Sequence, residues 1–231
     1  MRFPWFKPKS REEWPREVRD YEFNSRRRPD RKTPGKDLRI LVLDAETSGF
    51  RQSIDRMLSL SAVPVSGDRI RLPKMRSWMI YQADIVVNPA TLVHGILPSE
   101  TARGQSEREV LIELLPLLHD AVLVGHHVSF DARMLSDSLE RNFGIPLRNV
   151  AVDTAVLAMT LLEAFHKTGY ANQRPPSLEE VCAHFGIAML ERHTAAGDTF
   201  TTAQLWLQLV GLLRQRLRRE IELRDLLPVR Y

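Results

Sequence analysis

The chain has 231 residues, of which 43% are hydrophobic and 27% charged, as expected for one globular domain with short appendages. Its single cysteine excludes an intramolecular disulfide and a cysteine-rich zinc site. No apolar run approaches the roughly 18 residues of a membrane span, and the opening MRFPWFKPKSREEWP lacks the apolar core of a secretory signal. We therefore expect a cytoplasmic protein with no membrane partner.

Basic residues concentrate at the two ends of the chain. Residues 1–39 carry 13 Lys or Arg against 7 Asp or Glu, and residues 214–231 carry 6 against 3, so the net charge of +4 conceals an acidic middle. We predict a basic N-terminal arm and linker over 1–37, a folded domain over 38–213 and a basic tail of the final helix over 214–231. The two ends either hold a polyanion or are simply solvated.

Apolar runs predict five strands, the first of which is apolar except at Arg39 and therefore typical of a strand buried on both faces. The predicted strands are 38–43, 57–65, 78–87, 121–124 and 150–152. The first three are expected to form an antiparallel meander, with SGDRIRLP as a turn between the second and third.

Helical spacing and capping patterns predict helices between and after the later strands. The predicted helices are 106–120, 129–143, 153–166, 177–185 and 199–217. Ser106 with Glu109 and Ser177 with Glu180 match capping boxes. This order of elements predicts one α/β domain with a mixed five-stranded sheet flanked by helices.

Acidic residues follow the first predicted strand at Asp44 and Glu46. Residues two apart on a strand share one face, so both carboxylates can reach one cation. The carboxyl ends of strands are also where open α/β sheets tend to bind ligands. Taken alone, a pair of acids at a strand end is equally typical of a solvated loop.

Two further blocks carry acids near helix starts. Asp131 falls in the first turn of the predicted helix 129–143, where the helix dipole alone favours an acid by about 0.3–1 kcal/mol. His193 and Asp198 would lie about 140° apart on a continuous helix. Since Gly197 also weakens helix order, we predict His193 on a loop and Asp198 in the first turn of the final helix; Asp198 could alternatively be a simple N-cap.

Convergence of these four carboxylates would point to metal chemistry. At about 5 Å each pair repels by roughly 3 kcal/mol at an effective dielectric near 20, and divalent cations remove that cost. Oxygen-only ligands favour Mg²⁺ or Mn²⁺, and two such ions stabilise the attacking and leaving oxygens of phosphoryl displacement. A neutral His193 could take the proton of the attacking water. Of the adjacent His126 and His127, we expect one to pack and the other to line the site, and we place His94 near its rim.

The blocks together resemble a known family. LVLDAETSGF, GHHVSFD and HTAAGD, with Asp44, Glu46, Asp131, His193 and Asp198, resemble the three motifs of the DEDDh 3′–5′ exonucleases. The likeness is to the proofreading (epsilon) subunit of bacterial DNA polymerase III and its standalone relatives, and His94-Gly-Ile resembles a short element of that group. The resemblance covers about residues 38–213, which makes that range the expected exonuclease domain.

This resemblance implies an RNase H-like fold and a metal-dependent 3′–5′ exonuclease. Such an enzyme would hydrolyse the 3′ end of single-stranded or mismatched DNA by a two-metal mechanism and release nucleoside 5′-monophosphates. Asp44, Glu46 and Asp198 would hold one Mg²⁺ (or Mn²⁺), Asp44 would bridge to a second, Asp131 would support the second through water, and His193 would be the general base.

The resemblance also implies a substrate-binding set. Its predicted members are Ala45, Thr47, His94, His127 and Phe130. Ala45 and Thr47 would contact the terminal nucleotide, and Phe130 would pack beneath the site. The family usually has Asn where this chain has His127, so an altered local contact is expected there.

Two other functions remain open at this point. One is a 3′–5′ exoribonuclease that trims RNA ends or short oligoribonucleotides. The other is a non-catalytic module that binds nucleic acid or serves as a polymerase accessory. The presence of His193 argues against the second, since binding alone requires no catalytic histidine. The His-x4-Asp block and the long final helix favour DNA as the nucleic-acid partner, with a DNA polymerase as a further candidate partner.

Overall fold

The computed structural model describes residues 13–51, 54–83, 87–166 and 174–231. The strands in these ranges are β1 (Arg39–Thr47), β2 (Met57–Ser66), β3 (Arg69–Ile70), β4 (Arg76–Met79), β5 (Ala121–Gly125) and β6 (Val150–Asp153). The α-helices are α1 (Arg16–Asn24), α2 (Pro89–His94), α3 (Pro98–Thr101), α4 (Glu107–Leu118), α5 (Ser129–Phe143), α6 (Thr154–Leu161), α7 (Leu178–Phe185) and α8 (Ala195–Leu217).

The strands form one mixed sheet in the order β3-β2-β1-β5-β6, and β4 also pairs with β2. β1 and β2, β2 and β3, and β2 and β4 are antiparallel, whereas β1, β5 and β6 run parallel. All five predicted strands are present. The sixth, β3, lies in the segment predicted to be only a turn, because Gly67 (φ +55°) lets the chain double back so that Ile70 pairs with Val65. β4 ends at Met79 instead of continuing to 87, and residues 84–86 lie outside the described ranges.

Two apolar clusters cover the two faces of the sheet. Along β1, Leu41 and Leu43 belong to the cluster that packs beneath α1, α4 and α5, whereas Ile40 and Val42 belong to the cluster beneath α6, α7 and α8. This alternation is the period of two expected for a strand buried on both faces. The molecule therefore has three layers, helix, sheet and helix, as the α/β pattern predicted.

The helix ends follow their capping residues. Ser106 with Glu109 and Ser177 with Glu180 form the predicted capping boxes of α4 and α7. α8 begins at Ala195, four residues before the predicted start, because the Thr194 hydroxyl accepts a hydrogen bond from the Gly197 amide at 3.0 Å and caps the helix there. α6 ends at Leu161 rather than at 166.

Both flanking segments pack onto the domain. Val18 and Tyr21 of α1 are buried, and the Tyr21 hydroxyl donates a hydrogen bond to Asn149 at 2.8 Å. Beyond the end of α8 at Leu217, the chain turns back and buries Ile221 and Leu223. Apolar residues in both segments explain this packing, and residues 1–12 lie outside the described ranges.

Two arginines of the N-terminal segment lie at the edge of the sheet where β1 begins, whereas Asp44 and Glu46 lie near its other end. Arg27 and Arg28 line a cavity of about 430 Å³ together with Arg39 and Arg148, at the edge where β1, β5 and β6 begin. A role of these arginines in holding a polyanion stays a prediction.

The register of β1 creates the opening for the site. β1 pairs with β5 only over residues 39–42, and then continues to Thr47 beside the end of β5. Among the described residues, no strand pairs with residues 43–47 on that side. Period two puts Asp44 and Glu46 on the face of Ile40 and Val42, which is the face that α8 covers.

Candidate active site

Three carboxylates from β1 and α8 meet at this opening. One oxygen each from Asp44, Glu46 and Asp198 lies within 4.8 Å of the others. Asp44 and Glu46 belong to β1 itself rather than to the loop after it, and Asp198 is buried in the first turn of α8. The alternative in which Asp198 is only an N-cap is wrong, since Thr194 is the cap.

Asp131 brings a fourth carboxylate from the first turn of α5. Its side chain is buried, and the nearby backbone amides of Asp131 and Ala45 act to lower its pKa. Burial outweighs them and raises the pKa of Asp131 to about 8. Burial and then the negative charges of Asp131, Asp198 and Glu46 raise the pKa of Asp44 well above its ordinary range.

The two remaining acids experience the same environment. Burial and the neighbouring charge of Asp198 raise the pKa of Glu46 to about 7. Burial also raises the pKa of Asp198, although the Arg192 guanidinium beside it acts in the opposite direction. Four carboxylates thus share a site that disfavours their charges, which is the situation that divalent cations relieve.

The donor atoms of this cluster fit a divalent cation. Asp198 Oδ1 is buried and has no hydrogen-bond partner among the described residues, although a buried carboxylate oxygen normally has one. Asp44 and Glu46 supply further oxygens within 4.8 Å. A set made of oxygen atoms alone suits Mg²⁺ or Mn²⁺ better than zinc.

His193 lies on the loop just before α8, as predicted. Its backbone has a φ of +62°, and the nearness of His193 lowers the pKa of Asp198 against the effect of burial. The imidazole is partly exposed, so it can exchange protons with solvent. This loop therefore places the histidine near one of the four acids.

A groove of about 470 Å³ opens beside the carboxylates. Eight of the predicted site residues line it: Asp44, Ala45, Glu46, Thr47, His94, His127, Phe130 and Asp131. Asp198 adjoins them through the carboxylate cluster, and His193 lies near Asp198, whose pKa it lowers. The structure thus brings all ten predicted site residues to one region.

Sequence comparison decides the family. The sequence model of the exonuclease family (RNase_T) matches residues 41–206. The chain belongs to the exonuclease family. It is 28% identical over 179 residues to the PolC-type DNA polymerase III of Thermotoga maritima, an alignment that covers 78% of this chain and 12% of the relative. The chain thus spans about an eighth of the length of this much longer protein.

Solved structures show the same fold. E. coli Exonuclease I in complex with a dT13 oligonucleotide superimposes with a TM-score of 0.65 at 22% identity, over 79% of this chain and 43% of that one. The zinc-bound form of E. coli Exonuclease I with single-stranded DNA gives a TM-score of 0.64 at 21% identity, over 82% and 42% of the two chains. The predictions of a DEDDh-type exonuclease family and of an RNase H-like fold are confirmed.

Both adjacent histidines of this exonuclease family member border the groove, instead of one packing and the other lining it. His126 is the more buried of the two, and hydrogen bonds join its Nδ1 to the Thr154 hydroxyl at 2.8 Å and its Nε2 to the Pro176 carbonyl at 2.9 Å. Its burial lowers its pKa to about 4. His127 borders the groove with a φ of +59°, and its amide donates to Asp153 at 3.1 Å.

His94 lines the wall of the groove, and its ring nitrogens are buried. The residue is buried, and its Nδ1 accepts a hydrogen bond from the Ile96 amide at 3.0 Å. A ring whose Nδ1 accepts carries its proton on Nε2 when neutral. Nε2 is buried and has no partner among the described residues, so it remains available as a donor. Burial lowers the pKa of His94, which keeps the ring neutral.

Two residues of the site escaped the sequence analysis. Phe50 lines the groove with 84% of its surface exposed, and its ring centroid lies 5.6 Å from that of Phe130. The signal was its place at the end of the first motif block, LVLDAETSGF. Arg192 pairs with both Asp198 and Glu179, and only its position next to His193 could have drawn notice.

The described residues include no helix long and apolar enough to cross a membrane.

Proposed function

We propose that this protein is a metal-dependent 3′–5′ exonuclease that removes nucleoside 5′-monophosphates from the 3′ end of DNA. The observation that carries the proposal is the meeting of Asp44, Glu46 and Asp198 within 4.8 Å at an open groove, with Asp131 beside them. The names of similar proteins support DNA as the substrate, since they are a DNA polymerase and an exonuclease bound to DNA oligonucleotides.

The acids would hold the cations. Asp44, Glu46 and Asp198 would bind one ion, and Asp44 with Asp131 would bind the second. Bound divalent cations supply Lewis-acid stabilisation to the attacking and leaving oxygens of phosphodiester hydrolysis. We assign Mg²⁺ as the ion, with Mn²⁺ as a substitute, because every donor is a carboxylate oxygen.

His193 would act as the general base. A neutral imidazole on the loop before α8 would accept the proton of the water that attacks the terminal phosphodiester. The bond from phosphorus to the 3′ oxygen of the preceding nucleotide then breaks, and that oxygen takes a proton from solvent to become the 3′ hydroxyl of the shortened strand. The released product is a nucleoside 5′-monophosphate. Because the imidazole is partly exposed, it can return its proton to solvent before the next cycle.

The rest of the groove would hold the terminal nucleotide. Phe50 and Phe130 form an aromatic pair at its wall, and a base stacked on such a ring gains about 1–3 kcal/mol with little preference for its identity. His94 would contribute to the wall that the nucleotide contacts. Ala45 and Thr47 on β1 and His127 at the end of β5 would complete the contacts.

The proposal is tested with Asp44→Asn, which keeps the size of the side chain but removes its charge. Hydrolysis of a 3′-labelled single strand with Mg²⁺ should fall to background, and His193→Ala should lower kcat by about 10²–10⁴-fold. Asp68→Asn is the matched control, since Asp68 is exposed and forms only a surface ion pair with Arg214. Undiminished activity of Asp44→Asn would contradict the proposal.

The same assay separates the alternatives. Matched single-stranded DNA, a mismatched duplex and a short RNA are compared at equal concentrations, and we expect the single-stranded or mismatched DNA to be degraded fastest. Faster degradation of RNA would identify an exoribonuclease. Binding without hydrolysis of any substrate would identify an accessory module, for which a DNA polymerase is the expected partner.

A further inference from the structure

We propose that Arg192, held by Glu179, is a positioning residue that orients the carboxylate of Asp198 for cation binding. This inference rests on the proposed function, because it concerns the same carboxylate cluster. It adds two residues outside the acid and histidine motifs, one on α7 and one on the loop before α8.

The contacts of Arg192 assign the two oxygens of Asp198 different tasks. Nη1 of Arg192 donates to Oδ2 of Asp198, and Nη2 donates to Oε1 of Glu179. Oδ1 of Asp198 is buried and has no partner among the described residues. The arginine therefore fixes one oxygen and leaves the other without a hydrogen-bond partner, in a carboxylate group that lies within 4.8 Å of ligand oxygens of Asp44 and Glu46.

The ion pair with Glu179 restricts the orientation of Arg192. Glu179 belongs to the first turn of α7, and Asp198 to the first turn of α8. A planar guanidinium that bridges two carboxylates can rotate only if it breaks one of the ion pairs. Outer hydrogen-bond partners of this kind commonly set the geometry of metal ligands, and their loss typically costs 10–100-fold in metal affinity.

An opposite role for Arg192 is also physically sensible, and it predicts the opposite change in cation affinity when the arginine is removed. If Arg192 merely occupied the place of a cation, it would compete for Asp198, and its removal would tighten cation binding. A positioning role predicts weaker binding instead. The dissociation constant of the cation, which does not require turnover, therefore distinguishes the two roles.

The experiment is calorimetric titration of Mn²⁺ into the wild-type protein and into Arg192→Met, Arg192→Lys and Glu179→Gln. We expect Arg192→Met to weaken binding by about 10–100-fold. Arg192→Lys should be intermediate, because lysine keeps the charge but not the fork, and Glu179→Gln should weaken binding less than Arg192→Met. In the double variant Arg192→Met, Glu179→Gln, the second change should add little, since Glu179 acts through the arginine.

Arg174→Met is the matched control, because Arg174 forms an exposed ion pair with Glu180 beside the same helix. Its Mn²⁺ affinity should equal that of the wild type, and thermal unfolding without metal verifies that every variant is folded. Unchanged or tighter binding by folded Arg192→Met would overturn the inference while the wild type still binds. Absence of binding by the wild type would overturn the proposed function and this inference with it.

Discussion

Two histidines at the site occupy backbone conformations that most side chains avoid. His127 has a φ of +59° and His193 a φ of +62°. Outside glycine, Asn, Asp and His adopt this left-handed region most readily, whereas β-branched residues are strained there. The Asn that the family resemblance predicts at the position of His127 would tolerate the same backbone conformation.

We predict that His127→Asn keeps the fold and the exonuclease reaction, because Asn tolerates the same backbone and the hydrogen bond to Asp153 comes from the amide. His127→Val should cost about 1–3 kcal/mol of unfolding free energy, since a β-branched residue is strained at this φ. Urea unfolding and turnover of both variants provide the measurement. Equal stability of the two variants would contradict the backbone explanation.

At the scale of residues, the sequence predicted the acids better than their surroundings. Spacing and motif order were sufficient to bring together Asp44, Glu46, Asp131 and Asp198. Arg192 could not be predicted, because its two ion pairs depend on how α7 and α8 approach each other, and no periodicity encodes that. The roles of the four acids in catalysis stay predictions.

The first turn of α8 depends on a close approach that no sequence pattern reveals. Glycine at position 197 predicts weak helix order, yet Gly197 lies inside α8. A Cβ atom at this position would lie 2.3 Å from the carbonyl oxygen of Glu191 and 2.4 Å from that of Leu190. The glycine therefore lets the loop that carries Arg192 and His193 lie directly against the helix.

We predict that Gly197→Ala moves this loop, with a loss of about 1–3 kcal/mol of stability and at least tenfold in kcat. Gly211→Ala is the matched control on the same helix, because a Cβ atom there would meet no atom of the described residues within 4 Å. It should stabilise the protein by about 0.5–1 kcal/mol and leave turnover unchanged. Equal turnover of Gly197→Ala and the wild type would exclude the close approach as a requirement.

At the scale of elements, apolar runs predicted the strands, and capping residues predicted most helix ends. Neither the apolar runs nor the capping residues could predict the register between strands. The parallel pairing of β1 with β5 ends at Val42, and this early end makes the opening beside Asp44 and Glu46. It follows from packing across the sheet rather than from any pattern within β1.

Keeping four acids together in one buried site affects the stability of the whole folded molecule. Burial raises the pKa of Asp131 to about 8 and that of Glu46 to about 7. Carboxyl groups whose pKa is raised by folding stabilise the folded state in their protonated form. This contribution is fully present below their ordinary pKa of about 4 and is lost as the pH rises through about 7 and 8.

We predict that the metal-free protein loses stability between about pH 5 and 8, and that Mg²⁺ or Mn²⁺ restores it at pH 8. Carboxylates with lowered pKa, such as Glu179 and Asp225, act at more acidic pH and do not mask the effect. The difference should be at least about 1 kcal/mol, or about 2–4 °C in Tm. Thermal unfolding across this range with EDTA and with Mn²⁺ is the measurement.

Asp131→Asn provides the internal check of this pH dependence. Removal of one buried carboxyl should flatten the fall in stability and reduce the gain from Mn²⁺. A pH profile of Asp131→Asn identical to that of the wild type would show that the cluster does not set the stability of the fold.

The residues that line the groove determine how well the protein can distinguish one base from another. Arg, Lys, Asn and Gln are the side chains that most often read base edges, and none of them is among the described residues that line the groove beside Asp44. The lining consists mainly of aromatic, small apolar, acidic and histidine residues. Its aromatic and apolar side chains can pack against the flat face of any base. A strand of mixed composition should therefore shorten at an even rate. No lysine or arginine is among these described lining residues. Removal of the divalent ions should therefore abolish the affinity of the groove for the phosphates of the strand.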